Sequence, residues 1–161
     1  MIKSAQHILF KTASTAEEFN HGRHLFIQYA NSLDIDLSFQ GFQNELESID
    51  IQYNKPKGSL LLAYKDNIPI GCAGIRKLDE DIAELKRMFV DPGHRKFQVG
   101  RKLLELAIDV ARELNYNFIR LDTLPTMSKA QDLYRSFGFY EIPPYRFNPV
   151  EGTVFMEMKL I

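Results

Sequence analysis

Between Glu84 and Thr123 the chain reads ELKRMFVDPGHRKFQVGRKLLELAIDVARELNYNFIRLDT. A strand-like apolar run stops at Pro92-Gly93. The basic residues Arg95, Lys96, Arg101 and Lys102 follow, interleaved with Phe97, Gln98, Val99 and Gly100, and an amphipathic stripe begins at once. Such a turn sets cations and unpaired backbone amides at a helix N-terminus, the local chemistry needed to hold a pyrophosphate. Cations there oppose the helix dipole unless an anion is present. Read alone, the four basic residues equally fit a solvated charged face.

The elements that must position this turn can be read on either side of it. Leu103, Leu104, Ala107, Ile108, Ala111 and Leu114 fall at helical spacing. A strand over 83–90 and another over 117–123, joined by that helix, should lie parallel in a βαβ unit. Upstream, His7–Thr12 reads as a strand, and Thr15 with Glu18 forms a capping box opening a helix through Phe19, Phe26 and Ala30, with Leu25 and Tyr29 beside them. Asn31–Ser38 reads as a loop. Phe39, Phe42, Leu46 and Ile49 predict one further amphipathic helix. Two strands, Leu60–Tyr64 and Ile68–Lys77, flank the turn Lys65-Asp66-Asn67. Downstream, Ala130, Leu133, Tyr134 and Phe137 share a helix face that Gly138 ends, and the last strands are Phe139–Ile142 and Thr153–Leu160. This order predicts a mixed α/β sheet with helices on both faces.

The 161 residues fit one domain spanning 1–161, long enough to bury a real core. With 20 basic against 21 acidic residues, the composition offers no sign of nucleic-acid binding. No apolar run reaches the length of a membrane span, and the first ten residues lack a signal-peptide pattern, so a cytoplasmic setting is the default expectation. The single cysteine, Cys72, rules out a disulfide within the chain and a cysteine-rich metal site; its apolar surroundings suggest a buried strand residue rather than a reactive thiol. The four histidines show no metal-binding spacing, and no metal is expected.

In this order and spacing, three pieces resemble the GNAT superfamily of acetyl-CoA-dependent N-acetyltransferases: ELKRMFV followed by DPGHR, the turn RKFQVG at Arg95–Gly100, and AQDLYRSFGF at Ala130–Phe139. The resemblance covers nearly the whole chain in element order. It departs from the family pattern at Gln98, where the family's first motif glycine falls, and at Met127, where the family often has asparagine. It implies a mostly antiparallel sheet with a central parallel pair that splays apart, acetyl-CoA as cosubstrate and an amine as acceptor. Dimers are common in the family, so a homodimer is an expectation.

The resemblance also implies roles. The pyrophosphate would sit on the amides of Val99–Lys102 with Arg95 and Lys96 adding charge, and main-chain groups of Met88 and Val90 around Phe89 would hold the pantetheine arm. Read alone, Met88 and Phe89 are core residues. Glu84 would be the general base, since strand alternation sets it on the same face as Met88 and Val90; read alone, it fits a carboxylate paired with a nearby cation. Tyr134 would be the general acid at the leaving thiol; read alone, it fits an amphipathic core position. Arg76, Tyr145 and Arg146 are candidates for recognising an acidic group on the acceptor. A non-catalytic acyl-CoA-binding module on the same fold is the second reading.

Overall fold

The computed structural model describes residues 7–161; the side chains of Phe39, Gln40 and Phe97 lie outside the described residues. The expectations that rest on the Phe39 and Phe97 side chains therefore fall outside what is described. Strand β1 (Ile8–Thr12) leads into helix α1 (Ala16–Ser32). The capping box forms: the Glu18 amide donates to Thr15 Oγ1 and the Thr15 amide to Glu18 Oε1, both at 3.1 Å. Helix α1 runs into the stretch read as loop, and Leu37–Gln40 adds a 3-10 turn.

The single helix expected around Phe42 to Ile49 is two short ones, α2 (Phe42–Glu47) and α3 (Ile49–Gln52). The break falls at Ser48, whose φ/ψ of -112°/24° lies outside the helical range. Leu46 and Ile49 are still buried, so the apolar spacing reported the buried face correctly but not the chain's continuity.

Strands β2 (Ser59–Lys65), β3 (Ile68–Asp79) and β4 (Ile82–Val90) form an antiparallel meander. Helix α4 (Val99–Glu113), β5 (Phe118–Thr123), α5 (Ser128–Phe137), β6 (Tyr140–Ile142) and β7 (Val154–Lys159) complete the chain. The seven-stranded sheet has the order β1-β2-β3-β4-β5-β7-β6, and β4–β5 is its parallel pair. One core, under α4, holds Leu61, Leu103, Leu104 and Ile119; the other, under α1 to α3, holds Phe26, Ile49, Leu60 and Leu62. Strand β2 supplies both, which explains its unbroken apolar run. Each fully buried leucine contributes roughly 1.5–3 kcal/mol. Cys72 is buried, and its Sγ donates to the Arg87 carbonyl at 3.2 Å; desolvation pushes its pKa up.

Candidate active site

The parallel pair is short. Only Ile82, Ala83 and Glu84 pair with Phe118, Ile119 and Arg120. Beyond Glu84, β4 stays with β3 to Val90, while β5 goes with β7 to Thr123. The strands therefore separate, and the edge of β4 that faces β5 over residues 85–90 has no ladder partner among the described residues.

A β-bulge lies within that stretch. Gly74 pairs with Lys86 and Cys72 with Phe89, so one residue of β3 faces two of β4. Arg87 takes a φ of 56°, a left-handed conformation that costs a non-glycine residue roughly 1–2 kcal/mol. Its guanidinium is fixed by Glu45 of α2: Nε donates to Oε2 at 3.0 Å and Nη2 to Oε1 at 2.6 Å, while the Tyr53 hydroxyl donates to Oε2 at 2.7 Å. Burial alone would raise the Glu45 pKa, but the Arg87 bonds and charge, with Tyr53, hold it down.

The bulge corrects one expectation. Ala83, Leu85, Met88 and Val90 pack with the α4 core, and Phe89 packs with the α1 core. Glu84 lies between Ala83 and Leu85 and points the other way, so it is on the face opposite Met88 and Val90. Strict alternation placed them together; the extra residue at the bulge reverses the phase.

A groove of about 580 Å³ runs along the separated strands. Met88, Phe89, Val90, Arg95, Gln98, Gly100 and Arg101 line it. Val99 does not: it is fully buried in the α4 core. Lys96 and Lys102 are exposed outside the lining, Lys102 bonding Glu105 at 3.0 Å. Arg95 stacks over Phe89, and its Nε donates to the Val90 carbonyl at 2.9 Å. The sequence reading missed the opposite wall. Tyr29 and Ser32 come from α1, Met127 from the position before α5, and Lys129, Ala130 and Leu133 from α5 itself. Tyr29 lies beside the apolar stripe of α1, which was the available signal for it.

Helix α4 opens on Gln98, at φ/ψ 56°/30°, with no side-chain cap and no acidic residue in the first turn. The left-handed conformation there explains why glycine suits the position. At Gly100 a Cβ would meet Met88 Cε at 3.7 Å and Val90 Cγ2 at 3.8 Å, ordinary contact distances. The chain itself does not need glycine there, but a ligand approaching the helix backbone would.

Tyr134 is buried on α5, edge-on to Phe139 at 5.7 Å between centroids. Its pKa is raised, chiefly by burial and then by Tyr29 and Asp122. Tyr134 is not among the residues that line the groove; Ala130 and Leu133 of the same helix are.

Glu84 is fully buried, and its carboxylate is heavily subscribed. Arg76 Nε donates to Oε1 at 3.1 Å, and Tyr145 Oη and Arg146 Nη2 donate to Oε2 at 2.8 and 2.6 Å. Burial raises its pKa, but Lys86, Arg76 and Arg146, with the Tyr145 bond, outweigh that and lower it. Arg76, Tyr145 and Arg146, read as a set for an acidic group on an acceptor, instead converge on an acid of the chain itself. Lys86 is nearly buried beside Glu84 and Asp122; desolvation brings its pKa down to about 8, against the pull of both carboxylates. Among the described residues no group of three or more metal-ligating side chains occurs.

This fold is found in solved acetyltransferases. A GNAT-family acetyltransferase from Staphylococcus aureus MU50 matches with a TM-score of 0.79, covering 96% of this chain and 100% of its own at 27% identity. A family model described as "Acetyltransferase (GNAT) family" matches residues 26–139, and the chain belongs to that family. An uncharacterized N-acetyltransferase from Schizosaccharomyces pombe is 32% identical, over 83% of each chain. Another from Dictyostelium discoideum is 29% identical, over 95% of this chain and 100% of its own. The family implies acetyl-CoA as cosubstrate.

Proposed function

We propose that the protein transfers an acetyl group from acetyl-CoA to the primary amine of a small-molecule or amino-acid-like acceptor, by direct attack. The observation that carries this reading is the groove, which joins the N-terminus of α4, without a side-chain cap, to the stretch of β4 beyond the end of its ladder with β5. A pyrophosphate fits the first-turn amides of α4 with Arg95 and Arg101 beside it. A peptide-like arm fits along β4 past the end of its ladder with β5, by the logic of strand addition. Acetyl-CoA supplies the activated acyl group.

The chain's own residues then have distinct tasks. An alkyl amine with a pKa of ~10.4 must lose a proton at pH 7, at a cost on the order of 4–5 kcal/mol. The saturated, pKa-lowered carboxylate of Glu84 is poorly suited to take that proton. We assign Glu84 to holding the 143–152 loop on the sheet and leave the proton to water. Tyr134, its pKa raised by burial, suits hydrogen-bond donation to a leaving thiolate better than full proton transfer, since a thiol pKa is ~8.5.

Calorimetry with CoA, together with thiol release from acetyl-CoA over a panel of amines, tests the reading. Binding with turnover on at least one amine supports it, and absence of CoA binding at millimolar ligand overturns it. The saturation of Glu84 favours the second reading, a non-catalytic acyl-CoA-binding module; binding without turnover on every amine would select that.

A further inference from the structure

Beside the groove is a second, smaller chamber of about 30 Å³, and Tyr29 lines both. Its walls are apolar: Leu33, Ile35 and Leu37 from the segment after α1, and Leu124 after β5. Its polar groups are Asp122, Thr123 and Asn148. The Asp122 side chain is only 9% exposed. Its partners hold it at long range: Lys86 Nζ is 4.0 Å from Oδ1, and Asn148 Nδ2 donates to Oδ2 at 3.4 Å. Glu84, on the same face of the sheet, is gripped at 2.6–3.1 Å instead. A carboxylate has about four acceptor sites, so Asp122 keeps capacity that Glu84 has used.

We propose that this chamber is the docking site for the acceptor's ammonium group, with Asp122 as its anionic partner. The inference rests on the acetyl-transfer reading and deepens it by naming the acceptor class. A volume of about 30 Å³ is on the scale of an ammonium group rather than of a whole acceptor. Leucine and isoleucine walls suit an alkyl carbon. A carboxylate on that carbon would lie beside the Asp122 charge, and no Lys or Arg is among the residues that line the chamber to offset it. The acceptor is therefore an alkyl or aralkyl primary amine, not the α-amino group of a free amino acid. Tyr29 lines both chamber and groove and packs edge-on to Phe89 of β4 at 5.9 Å between centroids, so an amine in the chamber would lie beside the groove.

The test is calorimetric titration of n-propylamine, L-alanine and 1-propanol into the protein, with and without saturating CoA. The expected result is that n-propylamine binds and the other two do not. Asp122→Asn, which keeps the side-chain shape, should weaken n-propylamine binding about tenfold or more, with CoA binding unchanged. Leu124→Phe, which fills the chamber, should block the amine and spare CoA, giving a second route should the first variant fold poorly. Equal n-propylamine affinity in Asp122→Asn and the unaltered protein overturns the site. So does absence of n-propylamine binding, and stronger binding of L-alanine overturns the acceptor class. Failure of CoA to bind overturns the transfer reading and is recorded separately from the amine titration.

Discussion

Tyr145 donates its hydroxyl to Glu84 Oε2 at 2.8 Å across 61 positions of sequence. Arg146 reaches the same oxygen at 2.6 Å, so two consecutive residues pin the loop between β6 and β7 onto β4. Glu84→Gln leaves Arg76 and Arg146 without their counter-charge. Breaking a buried ion pair costs about 3–5 kcal/mol, so a marked fall in melting temperature is expected, with faster proteolysis in the 143–152 loop. The pH–rate profile should keep its shape. A shifted pKa on that profile, with stability intact, would return Glu84 to the role of base.

Gly100→Ala separates packing from ligand binding. A Cβ there finds ordinary contacts in the protein, so melting should barely change, or rise slightly through helix propensity. The same methyl would stand over the α4 backbone inside the groove. CoA affinity should fall by about tenfold or more in calorimetry. Unchanged affinity would move the pyrophosphate off this helix start.

At Gln98 the expectation runs the other way. Its left-handed conformation is one glycine adopts without strain. Relief of roughly 1 kcal/mol of strain, set against the extra entropy glycine gives the unfolded chain, predicts for Gln98→Gly stability unchanged or slightly raised. CoA binding should be retained or tightened. Denaturant melts and calorimetry on the same preparation measure both.

Tyr134→Phe removes a hydroxyl but keeps the ring that packs against Phe139. Fold and CoA affinity should survive. Turnover should drop by about 10²-fold or more if the hydroxyl stabilises the leaving thiolate. Steady-state rates beside CoA titrations distinguish the two effects, and undiminished turnover removes Tyr134 from the chemistry.

Acid stability has a local source in Glu18. Its pKa falls from 4.5 to about 2, first through the Lys11 bond and then through the Ser14 amide, against the upward pull of burial. A carboxyl depressed in the folded state binds fewer protons there than in the unfolded chain. Its contribution is full above pH 4.5 and is lost as pH falls toward about 2. Lys11→Met should flatten this part of the acid-denaturation curve, read by circular dichroism against pH.

The site shows where sequence patterns lose their reach. The groove residues from Met88 to Arg101 were legible because the βαβ unit and its basic turn are contiguous in the chain. The facing of Glu84 was not. Alternation along a strand assumes a regular ladder, and the bulge at Arg87 is sustained by Glu45, a residue 42 positions away. Arg76, Tyr145 and Arg146 were read as recognising an acidic group on an acceptor, and only folding reveals that they bond the chain's own Glu84.

By itself the sequence determined the order of the strands, the helix between β4 and β5, and the capping box at Thr15. These rest on periodicity and on side chains that act within a few residues of one another. The tertiary structure alone decided how far β4 and β5 stay paired, which face Glu84 takes, and that Tyr29 and Asp122 border one chamber. Each depends on side chains meeting across the sheet, where distance along the chain carries no information about distance in space.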